Sequence, residues 1–254
     1  MFDLDVRDAL GANLVNTVGE LLRPVAEQIS GGTCLMSILT NASEQRLATA
    51  EFRVPVRTLA RAGFSGEEMA RRVVKAASIA QVDTERAVTH NKGIMNGITA
   101  LALATGNDTR ALEAAVHRYA AKDGRYRALS TYKVVEDQLY GAFSAPIALA
   151  TVGGATDVHP CCQAALRLLG SPGAAELAAI AASLGLAQNF AALHALCAEG
   201  IQRGHMNLHA SRMAWAAGAR GAEIGAVVGL MREADDYTSR AALRFLTRIR
   251  ESNR

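Results

Sequence analysis

The stretch from about Thr84 to Thr105 constrains the fold more than any other part of the 254-residue chain. Its helical pattern carries a series of large apolar side chains, namely Ile94, Met95, Ile98, Leu101 and Leu103. A helix that is apolar over most of its surface has to be covered by other elements. We therefore expect it to be largely buried and to end at the turn-forming sequence Gly106–Asp108.

Composition and charge exclude several classes of protein. Half of the residues are hydrophobic and 20% are charged, which suits a globular core and argues against a disordered chain. The net charge is +3, and the scattered Lys and Arg residues form no cluster of the kind that binds nucleic acid. Glu176, Ser183 and Gln188 interrupt the longest apolar run, so we expect no membrane span. The acidic, mixed N-terminus does not resemble a secretory signal, and we expect a cytoplasmic protein.

The residue pattern predicts a mixed order of helices and strands. The predicted helices cover Asp8–Ile29, Ser65–Ala80, Thr84–Thr105, Thr109–Ala121 and nearly everything from Pro160 onward. Breaks in that last region are expected at Gly170–Gly173, Gly185, Gly204 and Gly218–Gly221. The predicted strands are Thr33–Leu39, Leu47–Val56, Tyr126–Val134 and Gln138–Phe143, with at most one short strand at Phe2–Val6.

Polar residues share one face of the Thr84–Thr105 helix. Lys92, Asn96 and Thr99 are three and four residues apart, so they project from the same side. A lysine on a mostly buried helix needs a partner, and such lysines are often functional. The alternative is a lysine whose long side chain reaches solvent at the helix end. Spacing alone favours neither interpretation.

Other candidate residues have simpler explanations when they are considered alone. Asp108 lies in an ordinary turn sequence. His205 and His209 have a spacing that can bind zinc, but the HExxH pattern is absent and a solvated pair is the better interpretation. Adjacent Cys161 and Cys162 lack paired zinc-ligand spacing, and we interpret them as small residues that open a helix. We expect no metal site.

Six short sequences in fixed order resemble one enzyme family. They resemble the bacterial, class II form of hydroxymethylglutaryl-coenzyme A (HMG-CoA) reductase over residues 2–219. The sequences are DALGANLVNT from Asp8, VTHNKGIMNG from Val88, LATGND from Leu103, VGGATDVHP from Val152, GLAQN from Gly185 and EGIQRGHM from Glu199.

The resemblance implies a fold and a division into domains. It implies an α+β protein that is mostly helical, with a partial ferredoxin-like cofactor domain over residues 1–42. The C-terminal part of the family's substrate domain covers residues 43–202, and a helical flap that closes over bound substrate covers residues 203–254.

The resemblance also implies a reaction and a catalytic role for three residues. The family reduces HMG-CoA to mevalonate and free CoA with two hydride transfers from NAD or NADP, and the class II form favours NAD. Lys92 matches the lysine that stabilises the oxyanion, and Asp108 matches the aspartate that tunes this lysine. His205 matches the histidine that protonates departing CoA. The reverse reaction, mevalonate degradation, is equally consistent with the resemblance.

Ligand contacts are implied by the same matches. Arg86 would bind the free carboxylate of the substrate with its forked guanidinium. Asn96, Gln188 and Asn189 would supply further polar contacts to this ligand. Asp8, Gly11 and Asn13 fall in the motif that binds the nicotinamide cofactor, where Leu10 replaces the usual methionine, a change that conserves size and polarity.

The chain departs from the family in lacking its N-terminal portion, which carries the catalytic glutamate. Three explanations remain open: a split enzyme with a companion chain, a truncated reading frame, or a non-catalytic relative that binds CoA ligands or assembles. Helix geometry adds one expectation, because a continuous helix from Lys92 to Thr105 spans about 20 Å. Lys92 and Asp108 of one chain could not then meet, which predicts a homo-oligomer built from dimers with sites shared between subunits.

Overall fold

The computed structural model describes residues 1–252, except for the side chains of residues 201–205, 207, 208 and 252. The helices are α1 (Ala12–Ser30), α2 (Gly66–Val82), α3 (Thr84–Ala104), α4 (Thr109–Ala120), α5 (Ala155–Val158), α6 (Pro160–Leu168), α7 (Ala174–Cys197), α8 (Ile201–Ala216), α9 (Ala222–Glu233) and α10 (Ser239–Ser252). The strands are β1 (Leu47–Pro55), β2 (Ser130–Val135) and β3 (Gln138–Pro146).

The chain divides into two compact units, Met1–Leu193 and His194–Arg254. The first unit contains α1–α6, the sheet and most of α7, whereas the second contains the end of α7 and α8–α10. The predicted fold class, α+β and mostly helical, is confirmed.

The sheet is antiparallel, with the strand order β1-β3-β2. Alternate residues face the interior, as the period of two in a strand requires. Gly141 leaves room for the Phe52 ring, because a Cβ atom there would lie only 2.4 Å from it. Phe52 packs against Phe190 of α7 with ring centroids 4.9 Å apart, so this face of the sheet covers α7.

The close packing of α3 against α7 depends on two glycines. A Cβ atom on Gly97 would lie 3.1 Å from Leu184, and one on Gly185 would lie 2.7 Å from Ile98. Ile94 and Ile98 are fully buried at this contact. The expectation that α3 is largely buried is therefore confirmed on this side of the helix.

A buried polar network joins α3 to the sheet and to α7. His90 Nε2 lies 2.6 Å from Ser130 Oγ, and the hydroxyl groups of Ser130 and Tyr132 both donate to Asn189 Oδ1, at 2.8 and 2.7 Å. His90 Nδ1 has no hydrogen-bond partner among the described residues. Burial, assisted by the charge of Arg86, lowers the pKa of His90 from 6.5 to about 4. His90 is therefore neutral at physiological pH.

Several predicted elements are confirmed with small shifts at their ends. Ser65 caps α2 by accepting a hydrogen bond from the Glu68 N–H, and Gly31 ends α1 in the left-handed conformation. Two predicted breaks are wrong, because Gly185 lies inside α7 and Gly204 inside α8. Gly185 serves the packing against α3 rather than ending a helix.

The predicted strands Thr33–Leu39 and Phe2–Val6 are also wrong, because neither segment pairs with another strand. The backbone N–H groups of Cys34 and Leu39 donate instead to side chains of α1, those of Glu27 and Asn16. α1 contains no buried residue. Large apolar side chains of this region are exposed, namely Leu14, Leu21, Leu22, Val25, Ile29, Leu35, Met36 and Ile38.

α7 is long and apolar enough to cross a membrane by length and composition alone, so the expectation that no segment could do so was too strict. Leu177, Leu186 and Leu193 are nevertheless buried within the protein. Core helices of soluble proteins pass the same test, and α7 contacts both α3 and the sheet.

The second unit has its own apolar core between α8, α9 and α10, which includes Ala214, Met231 and Phe245. Arg250 of α10 donates to both carboxylate oxygens of Glu223 on α9, at 2.8 and 2.9 Å. These hydrogen bonds, with one from the Arg220 N–H, lower the pKa of Glu223 to about 2. The pair ties α9 to α10 at the protein surface.

We predict that Gly185→Ala destabilises the first unit, whereas Gly93→Ala does not. Both glycines lie inside helices, so each substitution gains up to about 1 kcal/mol of helix propensity. Only the Cβ atom at position 185 meets buried side chains, because nothing lies within 4 Å of the corresponding position at Gly93. Overpacking of this kind costs about 1–3 kcal/mol. Urea unfolding of the two variants checks this, and equal stabilities would contradict the packing argument.

We predict that the first unit loses stability as the pH falls from about 6.5 towards 4. In that interval the unfolded state binds a proton at His90 that the native state does not bind, because the native pKa is lowered to about 4. A shift of this size corresponds to about 3 kcal/mol. Unfolding measured against pH checks this, with His90→Gln expected to reduce the slope. His159→Gln, at an exposed position, is the control; an unchanged slope in His90→Gln would contradict the prediction.

Candidate active site

One side of α3 remains exposed and carries the predicted lysine. Lys92 and Asn96 are exposed, and Thr99 is half-buried. They line a shallow groove of about 240 Å³. The groove is completed by Met95, Ala100, Leu103 and Glu113. The Lys92 side chain is therefore exposed to solvent in a groove, as in the alternative in which the lysine reaches solvent.

The residues that precede Lys92 fix its turn of the helix from the buried side. The Asn91 side chain donates to the Arg127 carbonyl at 2.8 Å and accepts from the Leu129 N–H at 2.9 Å. His90 lies in the buried network described above. Successive residues thus point in different directions, and two of them hold the helix while Lys92 faces solvent.

A chain of hydrogen bonds closes the groove from α4. Thr99 Oγ1 donates to Glu113 Oε1 at 2.7 Å, and the other carboxylate oxygen of Glu113 lies 2.8 Å from His117 Nε2. His117 Nδ1 lies 2.7 Å from the Tyr126 hydroxyl. No sequence motif pointed to these hydrogen bonds, although the four-residue spacing of Glu113 and His117 on a predicted helix was a usable signal.

Asp108 caps the N-terminus of α4. Its Oδ1 atom accepts hydrogen bonds from the N–H groups of Arg110 and Ala111, both at 3.0 Å. Oδ2 makes no hydrogen bond to the described residues, so one oxygen remains for another partner. α3 is unbroken between Lys92 and Ala104, which places these two residues about 18 Å apart along the helix axis. The structure therefore does not bring Lys92 and Asp108 of one chain together.

The predicted substrate contacts occupy different environments. Arg86 is half-buried six residues before Lys92 on α3. Gln188 is exposed on α7 and lies beside Gly97, the residue after Asn96. Asn189 is buried, and its carbonyl oxygen already accepts two protein hydrogen bonds.

The predicted cofactor residues surround the start of α1. Gly11 has φ of +89°, and a Cβ atom there would lie 2.4 Å from the Val6 side chain, so glycine is required. No side chain caps α1, which leaves the N–H groups of its first turn uncapped beside exposed Asn13. Asp8 Oδ1 accepts a hydrogen bond from the Ala174 N–H at 2.7 Å. This side chain therefore also serves the first turn of α7.

The remaining candidates have little described chemistry. His205 lies on α8, and its side chain is outside the described residues. His159 caps α6 through the Cys161 N–H, and Asp157 accepts from the Gly153 N–H. Among the described residues, no group of His, Cys, Asp and Glu has the arrangement of a metal site.

Comparison with known proteins identifies relatives over most of the chain. The family model for hydroxymethylglutaryl-coenzyme A reductase matches residues 1–210. The 3-hydroxy-3-methylglutaryl-coenzyme A reductase of Archaeoglobus fulgidus is 49% identical over 231 residues, which are 90% of this chain and 51% of that protein. A probable reductase of Borreliella burgdorferi is 38% identical over 83% of this chain and 49% of its own length. The chain thus spans about half the length of these relatives.

Solved structures give the same result. A 3-hydroxy-3-methylglutaryl-coenzyme A reductase from Streptococcus pneumoniae has a TM-score of 0.75 and 43% identity, covering 96% of this chain and 59% of that one. A class II enzyme from the same organism, bound to NADPH in open conformations, has a TM-score of 0.74 and 44% identity, covering 97% of this chain and 60% of that one. The six-motif resemblance, the family model and these structures agree, and the chain belongs to the hydroxymethylglutaryl-coenzyme A reductase family.

Proposed function

We propose that this chain carries the lysine-bearing half of an HMG-CoA reductase active site. The proposed reaction is the NAD(P)H-dependent reduction of HMG-CoA to mevalonate and CoA, or the reverse oxidation in mevalonate degradation. The observation that carries the proposal is the exposed groove on α3, in which Lys92 and Asn96 face solvent with Gln188 of α7 close by.

The residues of this chain suit the charges that the reaction develops. Bound NAD(P)H supplies hydride, and each hydride addition to a carbonyl carbon places negative charge on the carbonyl oxygen. The Lys92 ammonium group would stabilise that oxyanion and supply its proton. Asp108, with one carboxylate oxygen not used by its helix cap, would tune the lysine. His205 would protonate the CoA thiolate as it leaves.

For the substrate, Arg86 would bind the free carboxylate, and Asn96 and Gln188 would donate or accept hydrogen bonds along the same ligand. Asn189 would contribute through its amide nitrogen, since its oxygen is occupied. Its main effect would be to hold α7 against the sheet.

For the cofactor, Asp8, Gly11 and Asn13 would hold the nucleotide. The left-handed Gly11 and the N–H groups at the start of α1 fit an anionic phosphate group, because a helix N-terminus attracts negative charge. We favour NAD from the resemblance to class II enzymes, while the solved neighbour binds NADPH. A comparison of turnover with NADH and NADPH decides this.

We further propose the domain division 1–42, 43–202 and 203–254, with the last part acting as a closing flap. The protein would be cytoplasmic and would form dimers, because the site needs Lys92 and Asp108 from different subunits. The catalytic glutamate would come from the portion of the family that this chain does not contain. The exposed apolar side of α1 supports a companion surface of that kind.

The second candidate function is a subunit that binds CoA ligands or assembles with a partner without turnover of its own. The apolar side chains exposed on α1 favour it, because such a surface suits assembly with a partner. Turnover by the isolated chain would reject this alternative.

We predict that Lys92→Ala lowers the rate of HMG-CoA-dependent NAD(P)H oxidation by about 10²–10³-fold, the usual effect of removing an oxyanion-stabilising group. The assay uses the purified chain, alone and after addition of the missing family portion in trans. Lys75→Ala, at an exposed position on α2, is the matched control and is expected to keep the full rate. Turnover that survives Lys92→Ala would reject the proposed role of this lysine.

We also predict that inactive Lys92→Ala and Asp108→Ala variants restore activity when they are mixed and allowed to exchange subunits. If each site takes Lys92 from one subunit and Asp108 from the other, a mixed dimer contains one intact site. Random mixing then yields about a quarter of the full activity. A mixture that stays inactive while native mass spectrometry detects mixed dimers would place both residues in one subunit and overturn the shared site.

A further inference from the structure

Two loops of the proposed site are attached to one short segment that follows β3. This segment, Leu149–Thr151, is called the anchor below. Leu149 and Ala150 are buried, so their backbone groups need partners inside the protein. The partners come from loops that are far apart in the sequence.

The first attachment is the side chain of Asn107. Its Nδ2 group donates to the Ala150 carbonyl at 3.1 Å, and its Oδ1 atom accepts from the Ala150 N–H at 2.6 Å. Both backbone groups of one anchor residue are thereby satisfied by one side chain. Asn107 directly precedes Asp108, so this double hydrogen bond sets the position of the turn that carries the proposed catalytic aspartate.

The second attachment is the half-buried side chain of Arg46. Its guanidinium donates to the Leu149 carbonyl at 2.6 Å. The other terminal nitrogen lies 3.4 and 3.5 Å from the carbonyl oxygens of Ala9 and Leu10. Both belong to residues 8–11, the proposed nucleotide loop. The Thr151 N–H also donates to the Asp8 carbonyl at 2.9 Å, which fastens the loop to the anchor a second time.

We propose that Arg46 and Asn107 are positioning residues that hold the nucleotide loop and the Asp108 turn as one rigid body through the anchor. The identity of the two loops rests on the proposed function. Neither residue needs to touch a ligand. No hydrogen bond links Arg46 to Asn107 in the described part of the chain, so any coupling between them passes through the anchor.

Amide hydrogen exchange of the full chain tests the rigid body. Arg46→Gln is expected to raise amide exchange about tenfold in the Asp108 turn, residues 107–111. Arg46 makes no hydrogen bond to this turn, so the effect has to pass through the anchor. Loss of one buried hydrogen bond gives an effect of this size. Asn107→Asp, which turns the Nδ2 donor into a second oxygen facing the Ala150 carbonyl, is expected to raise exchange in residues 8–11. If Asn107→Asp does not fold, Asn107→Ser, which adds no charge, is used in its place.

Arg57→Gln and Asn41→Asp, at exposed positions of the same unit, are the matched controls. Exchange that rises only at the direct contacts of each substituted residue would overturn the proposal, because the two loops would then move independently.

Steady-state kinetics test the positioning roles where the wild-type protein turns over. Arg46→Gln is expected to raise KM for NAD(P)H about tenfold and, because the two loops move together, also to lower kcat; Arg46→Lys is expected to recover part of both losses. Asn107→Ser is expected to lower kcat and also to raise KM for NAD(P)H. A variant that changes only the constant of the loop it contacts would count against the rigid body. If the wild-type protein neither binds nucleotide nor turns over, the proposed function fails for the isolated chain. The exchange data still test independently whether the anchor holds the two loops as one rigid body.

Discussion

The close contact between α3 and α7 is the constraint on which the rest of the first unit depends. Two glycines bring the helix backbones together, and Ile94 and Ile98 fill the space that remains. The sheet then covers α7 through Phe52 and Phe190. Once α3 is fixed in this way, its opposite side has to face outward. The groove with Lys92 and Asn96 is therefore a consequence of core packing.

The same packing explains how one short motif serves two purposes. In VTHNKG, the side chains of His90 and Asn91 are buried and hydrogen-bonded to the sheet and to the loop before it, whereas Lys92 is exposed. A helix rotates by about 100° per residue, so neighbours in a sequence can act as support and as reactive group. Polar residues that look alike in the motif thus differ completely in environment.

Local signals in the sequence were sufficient to predict most helices and strands. They failed where contacts between distant parts of the chain determine the local structure. The Ser65 cap, the Gly31 stop and the α3 span were predictable because each depends on neighbouring residues. Gly185 looked like a helix break, but its packing partner is more than eighty residues away. Thr33–Leu39 has a strand-like composition, yet a strand also needs a partner backbone. The environment of Asn189 depends on contacts between α7 and the sheet, so spacing alone could not predict it.

The uncovered side of α1 and the unpaired segment beside it determine how this protein behaves in solution. A backbone segment that lies outside any sheet can pair with another strand, and an apolar helix face attracts any similar face. At working concentrations such a surface promotes self-association, whatever the stability of the core. Solubility then depends on whether a partner covers this surface. Adding such a partner is expected to reduce aggregation more than a substitution that stabilises the core.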